Sequence, residues 1–175
     1  MNLVAASLDE IVSLFLSDAM ADSYGEDLSV RDHSLQCADY ALRQGLSLPL
    51  IAAALLHDIG WVIGDTHEIS GARFVSQVLG DTVAAPIALH VAAKRYLVAK
   101  RSDYAAGLSA MSLRTLAMQG GPMGSAEMLA FERDPNSADA VSLRLLDDMS
   151  KDLEAPAPGL ENYLPILEQI VAERR

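Results

Sequence analysis

Apolar residues recur along this chain at intervals of three and four. No stretch sustains the strict alternation of a half-buried strand. Ile11, Leu14 and Phe15 follow Ser7-Leu8-Asp9-Glu10, a capping-box sequence, and predict a first helix. A second helix is predicted over 31–43, stopped by Gly45. Ser47 and Pro49 open a third, LPLIAAALLHDI, which runs to Gly60. Further helices are predicted over 68–79, from Pro86 through His90 and Lys94, and over 104–118 up to Gly120-Gly121-Pro122. Others run over 125–131 and from a Ser137 cap to Met149. The segment EAPAPG (154–159) reads as a stiff connector to a last helix over 160–173. The expected fold class is all-α: one helical-bundle domain over 1–175, with its core at about 20–153.

Composition supports this reading. Ala and Leu, both strong helix formers, fill 53 of 175 positions. Acids outnumber bases 24 to 13, giving a net charge of −11. Such a surface repels phosphate backbones, so no nucleic-acid partner is expected. No apolar run approaches the ~20 residues of a membrane span, so no membrane partner is expected either. The opening MNLVAASLDE lacks the basic stretch of a signal peptide, and the one cysteine, Cys37, suits a reducing compartment; the expected location is cytoplasmic. The charge is unevenly spread. Residues 86–118 carry five basic side chains and one acid, net +4, against −15 elsewhere. A small basic pocket in an acidic protein suits a compact anion.

The pair His57-Asp58 closes the apolar run IAAALL, at a helix C-terminus whose partial negative charge favours a cation. Imidazole with carboxylate suits borderline metals such as Fe, Mn, Co or Zn. Lys94 lies four residues after His90, on the same helix face. Ser112 and Thr115 are three apart and offer hydroxyl donors. Arg144 stands three before Asp147. Neighbours on a helix point about 100° apart, so only one of Asp147 and Asp148 faces any shared site. Trp61 either walls a pocket or caps the core. Met111, Met118 and Met123 read as core filler, and Cys37 as packed.

The set His33, His57-Asp58, His67, His90 and Asp147 uses every histidine in the chain. It resembles the HD-domain superfamily of metal-dependent phosphohydrolases, which implies an HD-type bundle. The segments HSLQCA (33–38), HVAAKRYLV (90–98) and QGGPM (119–123) resemble a narrower group, the mixed-valent di-iron hydroxyphosphonate oxygenases. That resemblance implies two iron ions, Fe(II) and Fe(III), with O2 as co-substrate. Asp58 would bridge them. His33, His57 and Asp147 would complete one shell, and His67 and His90 the other. It implies that Lys94, Ser112, Thr115 and Arg144 hold the phosphonate. Tyr24 and Glu26 would meet the amino end, with Tyr24 closing over the ferrous ion before substrate arrives. Asp58, Lys94 and Tyr24 are the residues expected to serve catalysis.

The implied substrate is a small anionic (1R)-1-hydroxy-2-aminoalkylphosphonate. It is either 1-hydroxy-2-aminoethylphosphonate, giving glycine and phosphate, or its N-trimethyl analogue, giving glycine betaine and phosphate. Asp27 and Asp32 add negative charge before His33, and Tyr24, Tyr163 and Asp27 are candidates for a cage around a quaternary ammonium. An upstream hydroxylase would supply the substrate without stable contact. The alternative is an HD phosphohydrolase of a small phosphate ester or nucleotide, using the same ligands around a metal-bound hydroxide.

Overall fold

Serine caps set most of the helix starts. Ser7 accepts from Glu10 N at the head of α1 (Leu8–Phe15), and the Glu10 carboxylate reaches back to Ala6 N at 2.8 Å, one residue before the usual box position. Ser29 caps α2 (Val30–Arg43), and Ser47 caps α3 (Leu48–Leu56) with Pro49 in its first turn. The computed structural model of the chain describes residues 3–23, 27–64 and 66–174. Its remaining α-helices are α4 (His67–Leu79), α5 (Asp81–Lys100), α6 (Ala110–Met118), α7 (Ser125–Arg133), α8 (Ser137–Met149) and α9 (Leu164–Glu173). No strand occurs among the described residues, and no single helix there is long and apolar enough to cross a membrane.

Helix α5 is the axis of the bundle. It packs on α4, α8 and α3, while α2 lies against α3 and α8. Every residue from Leu50 to Leu56 is buried, which makes α3 the core's centre. Fully burying one such Leu or Ile contributes roughly 1.5–3 kcal/mol. A smaller cluster of Ala93, Met123, Phe131 and Ala140 sits beneath α7. The 119–123 turn is tied to α5: Arg95 Nε donates to Gly121 O at 2.8 Å, and Met123 N to Arg95 O at 3.2 Å. Gly120 and Gly121 both adopt positive φ, as that turn requires. On the opposite side, Gln36 binds the connector that follows α8. Its Nε2 donates to Asp152 O (2.7 Å) and Ala155 O (3.0 Å), and its Oε1 accepts from Asp152 N (3.2 Å).

The structure revises several boundaries. The fifth helix starts at Asp81, not at Pro86, because Gly80 (φ 85°) turns the chain directly from α4 into α5. Pro86 lies in the second turn, where its missing N–H leaves one carbonyl without its helical donor. The predicted helix over 104–118 is two elements. A 3-10 turn covers Tyr104–Gly107, Leu108 and Ser109 are extended, and Ser109 recaps α6 by accepting from Ser112 N. Ser137 is the first helical residue rather than the cap, which is Asn136. The last segment opens with a 3-10 turn, Leu160–Asn162, before α9. Met118 is 79% exposed, so it fills no core; it ends its helix on the solvent side.

The third helix also stops early, at Leu56. His57 caps it, Asp58 takes φ −101°, ψ 3°, and a 3-10 turn follows over Ile59–Val62. That turn presses on the start of α4. A Cβ on Gly60 would stand 1.8 Å from His67 O and 2.8 Å from Gly71 N, both backbone atoms. Gly60→Ala is therefore expected to destabilise the fold by about 3 kcal/mol or more, read by urea unfolding. A loss below about 1 kcal/mol would show that the turn can retreat.

Candidate metal centre

The break after Leu56 is what aims the histidine-aspartate pair. It turns His57 into the bundle, fully buried, and leaves Asp58 facing the gap between α2, α4, α5 and α8. From α2 comes His33, from the first residue of α4 His67, from the middle of α5 His90, and from the end of α8 Asp147. The two oxygens of Asp58 face different partners. Its Oδ2 lies 3.4 Å from His57 Nε2 and 3.8 Å from His33 Nε2, while Oδ1 lies 3.5 Å from His67 Nε2 and 3.9 Å from His90 Nε2. Asp147 Oδ1 joins the first group, 3.2 Å from His33 Nε2. Ligand atoms about 2.1 Å from one ion stand about 3.0–3.4 Å apart, which these separations approach. Two groups thus form with metal-compatible spacing, His33–His57–Asp58 and Asp58–His67–His90.

Hydrogen bonding sets the imidazoles for coordination. The Nδ1 atoms of His33, His57 and His90 contact the carbonyls of Ser150 (2.7 Å), Ala54 (2.9 Å) and Ile87 (2.7 Å). His67 Nδ1 faces the Glu68 carboxylate at 3.3 Å. These contacts favour the Nδ1–H tautomer of each neutral ring, with Nε2 directed inward. Two consequences fit a metal rather than an apolar or protonated core. The Nε2 atoms of His67 and His90 stand 3.1 Å apart, lone pair to lone pair, an arrangement that a shared cation stabilises. His57 Nε2 is buried without any hydrogen-bond partner.

The electrostatics agree. Burial alone would depress His57, but the Asp58 charge prevails and holds it up at about 9. Burial resists ionisation of Asp58 too, yet His57 keeps its carboxyl well below the ordinary range. Burial and then the neighbouring His67 and His57 push His90 down to about 3. The pocket thus keeps Asp58 charged and His90 neutral, as ligands must be, while His57 holds a proton that a bound cation would have to displace.

His33, Asp58, His67, His90 and Asp147 face a cavity of about 300 Å³. Lys94, Ser112, Thr115, Gln119, Trp61, Asp27 and Ser23 line it as well. Lys94 is 2% exposed; its Nζ donates to Thr115 Oγ1 at 2.9 Å and has no ion pair among the described residues. A buried ammonium without a counter-charge is a receptor for an anion. Gln119 escaped the sequence reading as a site residue, although it continues the Ser112–Thr115 stripe four residues on. Its Oε1 is buried and unpartnered. Trp61 walls the pocket and stacks on His67, centroids 4.3 Å apart at 10°. Lys151 also lines the cavity, 3.5 Å from Ser109 Oγ.

One expectation is corrected, and a second is refined. Tyr163 does not line the cavity. It is 1% exposed within the core, with its hydroxyl 3.4 Å from Leu35 O, because the 3-10 turn at Leu160–Asn162 carries it beneath α2. Arg144 does line the cavity, but its guanidinium is already engaged: Nη1 donates to Asp147 Oδ2 at 2.7 Å, and Nη2 to Asp148 Oδ1. Its charge is thus balanced within the bundle, unlike that of Lys94. Tyr24 and Glu26 lie outside the described residues. Cys37 is buried, and burial raises its thiol pKa well above normal, so it is packed and unreactive.

Comparison with known proteins gives three relatives and a family. Residues 30–119 match the family model described as HD domain. The [1-hydroxy-2-(trimethylamino)ethyl]phosphonate dioxygenase (glycine-betaine-forming) of Leisingera caerulea is 34% identical over 159 residues, 84% of this chain and 81% of that protein. The hydroxymethylphosphonate dioxygenase of Gimesia maris is 37% identical over 170 residues, 89% of this chain and 85% of its own. An uncharacterized protein of Acanthamoeba polyphaga mimivirus is 31% identical over 187 residues, covering 99% and 85%.

Because Asp58 faces both histidine groups, its loss should empty both. Asp58→Ala is expected to retain less than about a tenth of the metal bound by the wild type, measured by elemental analysis after loading, while keeping its helical circular dichroism. Retention of one full equivalent would mean that Asp58 serves only one of the two groups.

Proposed function

The chain belongs to the HD-domain family, and from that premise we propose that it is a di-iron dioxygenase cleaving the carbon–phosphorus bond of a small 1-hydroxyalkylphosphonate. The overall change is R–CH(OH)–PO3H2 + O2 → R–COOH + H3PO4, in which the substrate supplies all four electrons. The observation that carries the reading is the buried, uncompensated Lys94 ammonium beside a centre whose one carboxylate faces two pairs of imidazoles. The dioxygenase names of two relatives at 34% and 37% identity support oxidation over hydrolysis.

In this reading His33, His57 and Asp147 would hold one ion and His67 and His90 the other, with Asp58 available to both. Two irons would supply a site for the substrate's oxygens and the activation of dioxygen. The protein's own residues do the rest. Lys94 neutralises the phosphonate, with Ser112, Thr115 and the Gln119 amide lining the same cavity. Holding the anion there would bring C1 and its hydroxyl to the side chains that would hold the metals, which is catalysis by positioning. Trp61, stacked on His67, covers one face of that imidazole and keeps water from it. The cavity is also lined by Asp27, Ser23 and Trp61. A carboxylate and an indole face suit a cationic substituent, and we carry the trimethylammonium substrate forward on those two residues rather than on Tyr163.

The test is aerobic phosphate release with parallel oxygen uptake on hydroxymethylphosphonate, 1-hydroxy-2-aminoethylphosphonate and its N-trimethyl analogue. One phosphate per O2 is expected, with the highest kcat/KM for the trimethyl compound. Phosphate release from a phosphate monoester without oxygen would place the chain among hydrolases instead. Lys94→Ala should keep both metals yet lose about 10- to 100-fold in kcat/KM, the size of one charge-assisted hydrogen bond. In the wild type, burial and then the nearby Arg144 hold the Lys94 ammonium down to about 8. The anion binds the protonated form, so kcat/KM should fall as pH rises through about 8, and that limb should vanish in Lys94→Ala.

A further inference from the structure

Arg144, Asp148 and Tyr104 form a closed cluster behind Asp147. We infer that Tyr104 and Asp148 are positioning residues, which act through Arg144 to fix the Asp147 carboxylate toward the metal centre. The inference rests on the metal-centre reading above and not on the identity of the substrate.

The contacts are specific. Arg144 presents its fork to both aspartates at once. Nη1 donates to Asp147 Oδ2 at 2.7 Å, while Nη2 and Nε take the two oxygens of Asp148, the Nε contact at 3.3 Å. Tyr104 donates its hydroxyl to Asp148 Oδ2 and accepts from Arg144 Nε at 3.2 Å. Arg144 Nη2 also lies 3.4 Å from Ser112 Oγ. Arg144 is 4% exposed and Asp147 6%.

A guanidinium this deep needs one carboxylate for charge balance, and it has two. The second has a geometric effect. Asp148 and Tyr104 hold the arginine from the far side, so that it meets Asp147 through Nη1 alone. With Oδ2 of Asp147 tied, Oδ1 is left as the oxygen facing His33 Nε2 at 3.2 Å. That is how an outer contact orients a ligand and keeps it monodentate. Tyr104 belongs to the 3-10 turn that precedes α6, so that turn also helps to fix the ligand on α8.

The test is anaerobic iron(II) titration against a competing chelator on the wild type, Arg144→Lys, Asp148→Asn and Tyr104→Phe. Lysine keeps the charge but lacks the fork that spans two carboxylates. In Arg144→Lys and Asp148→Asn one ion should bind about 10- to 100-fold more weakly while the other keeps its affinity. Tyr104→Phe should move the same ion in the same direction by less. The phosphonate KM should stay within about twofold, and excess iron should restore kcat. Both ions at wild-type affinity in Arg144→Lys, with a raised KM, would overturn the inference and make Arg144 a substrate contact. If Asp148→Asn folds poorly, Tyr104→Phe and Arg144→Lys decide, and unchanged iron affinity in both overturns it. A wild-type chain binding fewer than two ions overturns both this inference and the metal-centre reading. Two ions with the expected weakening, but no phosphonate cleavage, would support the inference and reject only the proposed reaction.

Discussion

One carboxylate organises this molecule. Asp58 must show one oxygen to His33 and His57 and the other to His67 and His90, and several features of the backbone follow from that need. The apolar helix α3 has to end at Leu56, because one more α-helical turn would carry Asp58 away from the gap. The chain then has to clear the start of α4 at backbone contact distance, which only glycine at 60 permits. That close approach in turn places His67 as the first residue of its helix, beside the 3-10 turn. The core of α3 is the anchor for this geometry, since a buried run of seven residues leaves little freedom in where its last turn points.

The second layer of the design is charge placed against the protein's average. A chain of net −11 buries one ammonium, Lys94, opposite a neutral hydroxyl, and one guanidinium, Arg144, between two aspartates. The two cations face the same cavity with opposite availability. The lysine lacks an internal counter-ion and awaits one from outside, whereas the arginine is satisfied within the bundle. This division keeps the acidic surface from governing the pocket, because buried groups are screened far less than exposed ones.

Much of this was legible in the sequence, for identifiable reasons. Four histidines in an acidic chain leave few places for a metal, and the apolar periodicity breaks at Gly45 and Gly80, although α3 itself ends at Leu56, before Gly60. The elements that were misread are those where side-chain chemistry competes with periodicity. Ser109 recaps a helix that the apolar pattern would have run through from 104. Pro86 is tolerated inside α5 because the helix has already begun at Asp81. Tyr163 looked like a cage wall on composition alone, and no local pattern reveals that its ring is core. Arg144 was placed near the metal end by its spacing from Asp147, yet spacing cannot show that Asp148 and Tyr104 hold its far side, since Tyr104 is 40 residues away. Tertiary partners of a charged group are the information that one-dimensional periodicity lacks.

The turn of α2 that carries His33 also carries Gln36, and both reach the far end of the chain. His33 is steadied by Ser150 O, 117 residues later, and Gln36 clamps Asp152 and Ala155, 116 and 119 residues later. A ribosome adding 5–20 residues per second needs about 6–24 s to travel from residue 36 to residue 155. Until residues 147 and 150 are made, the imidazole on α2 exists without the carbonyl that sets its tautomer and without the aspartate that completes its group. Such long-range closure is slow relative to local helix formation. Order of synthesis therefore makes the group around His33 and Asp147 the later of the two to close, since Asp58, His67 and His90 are all in place by residue 90.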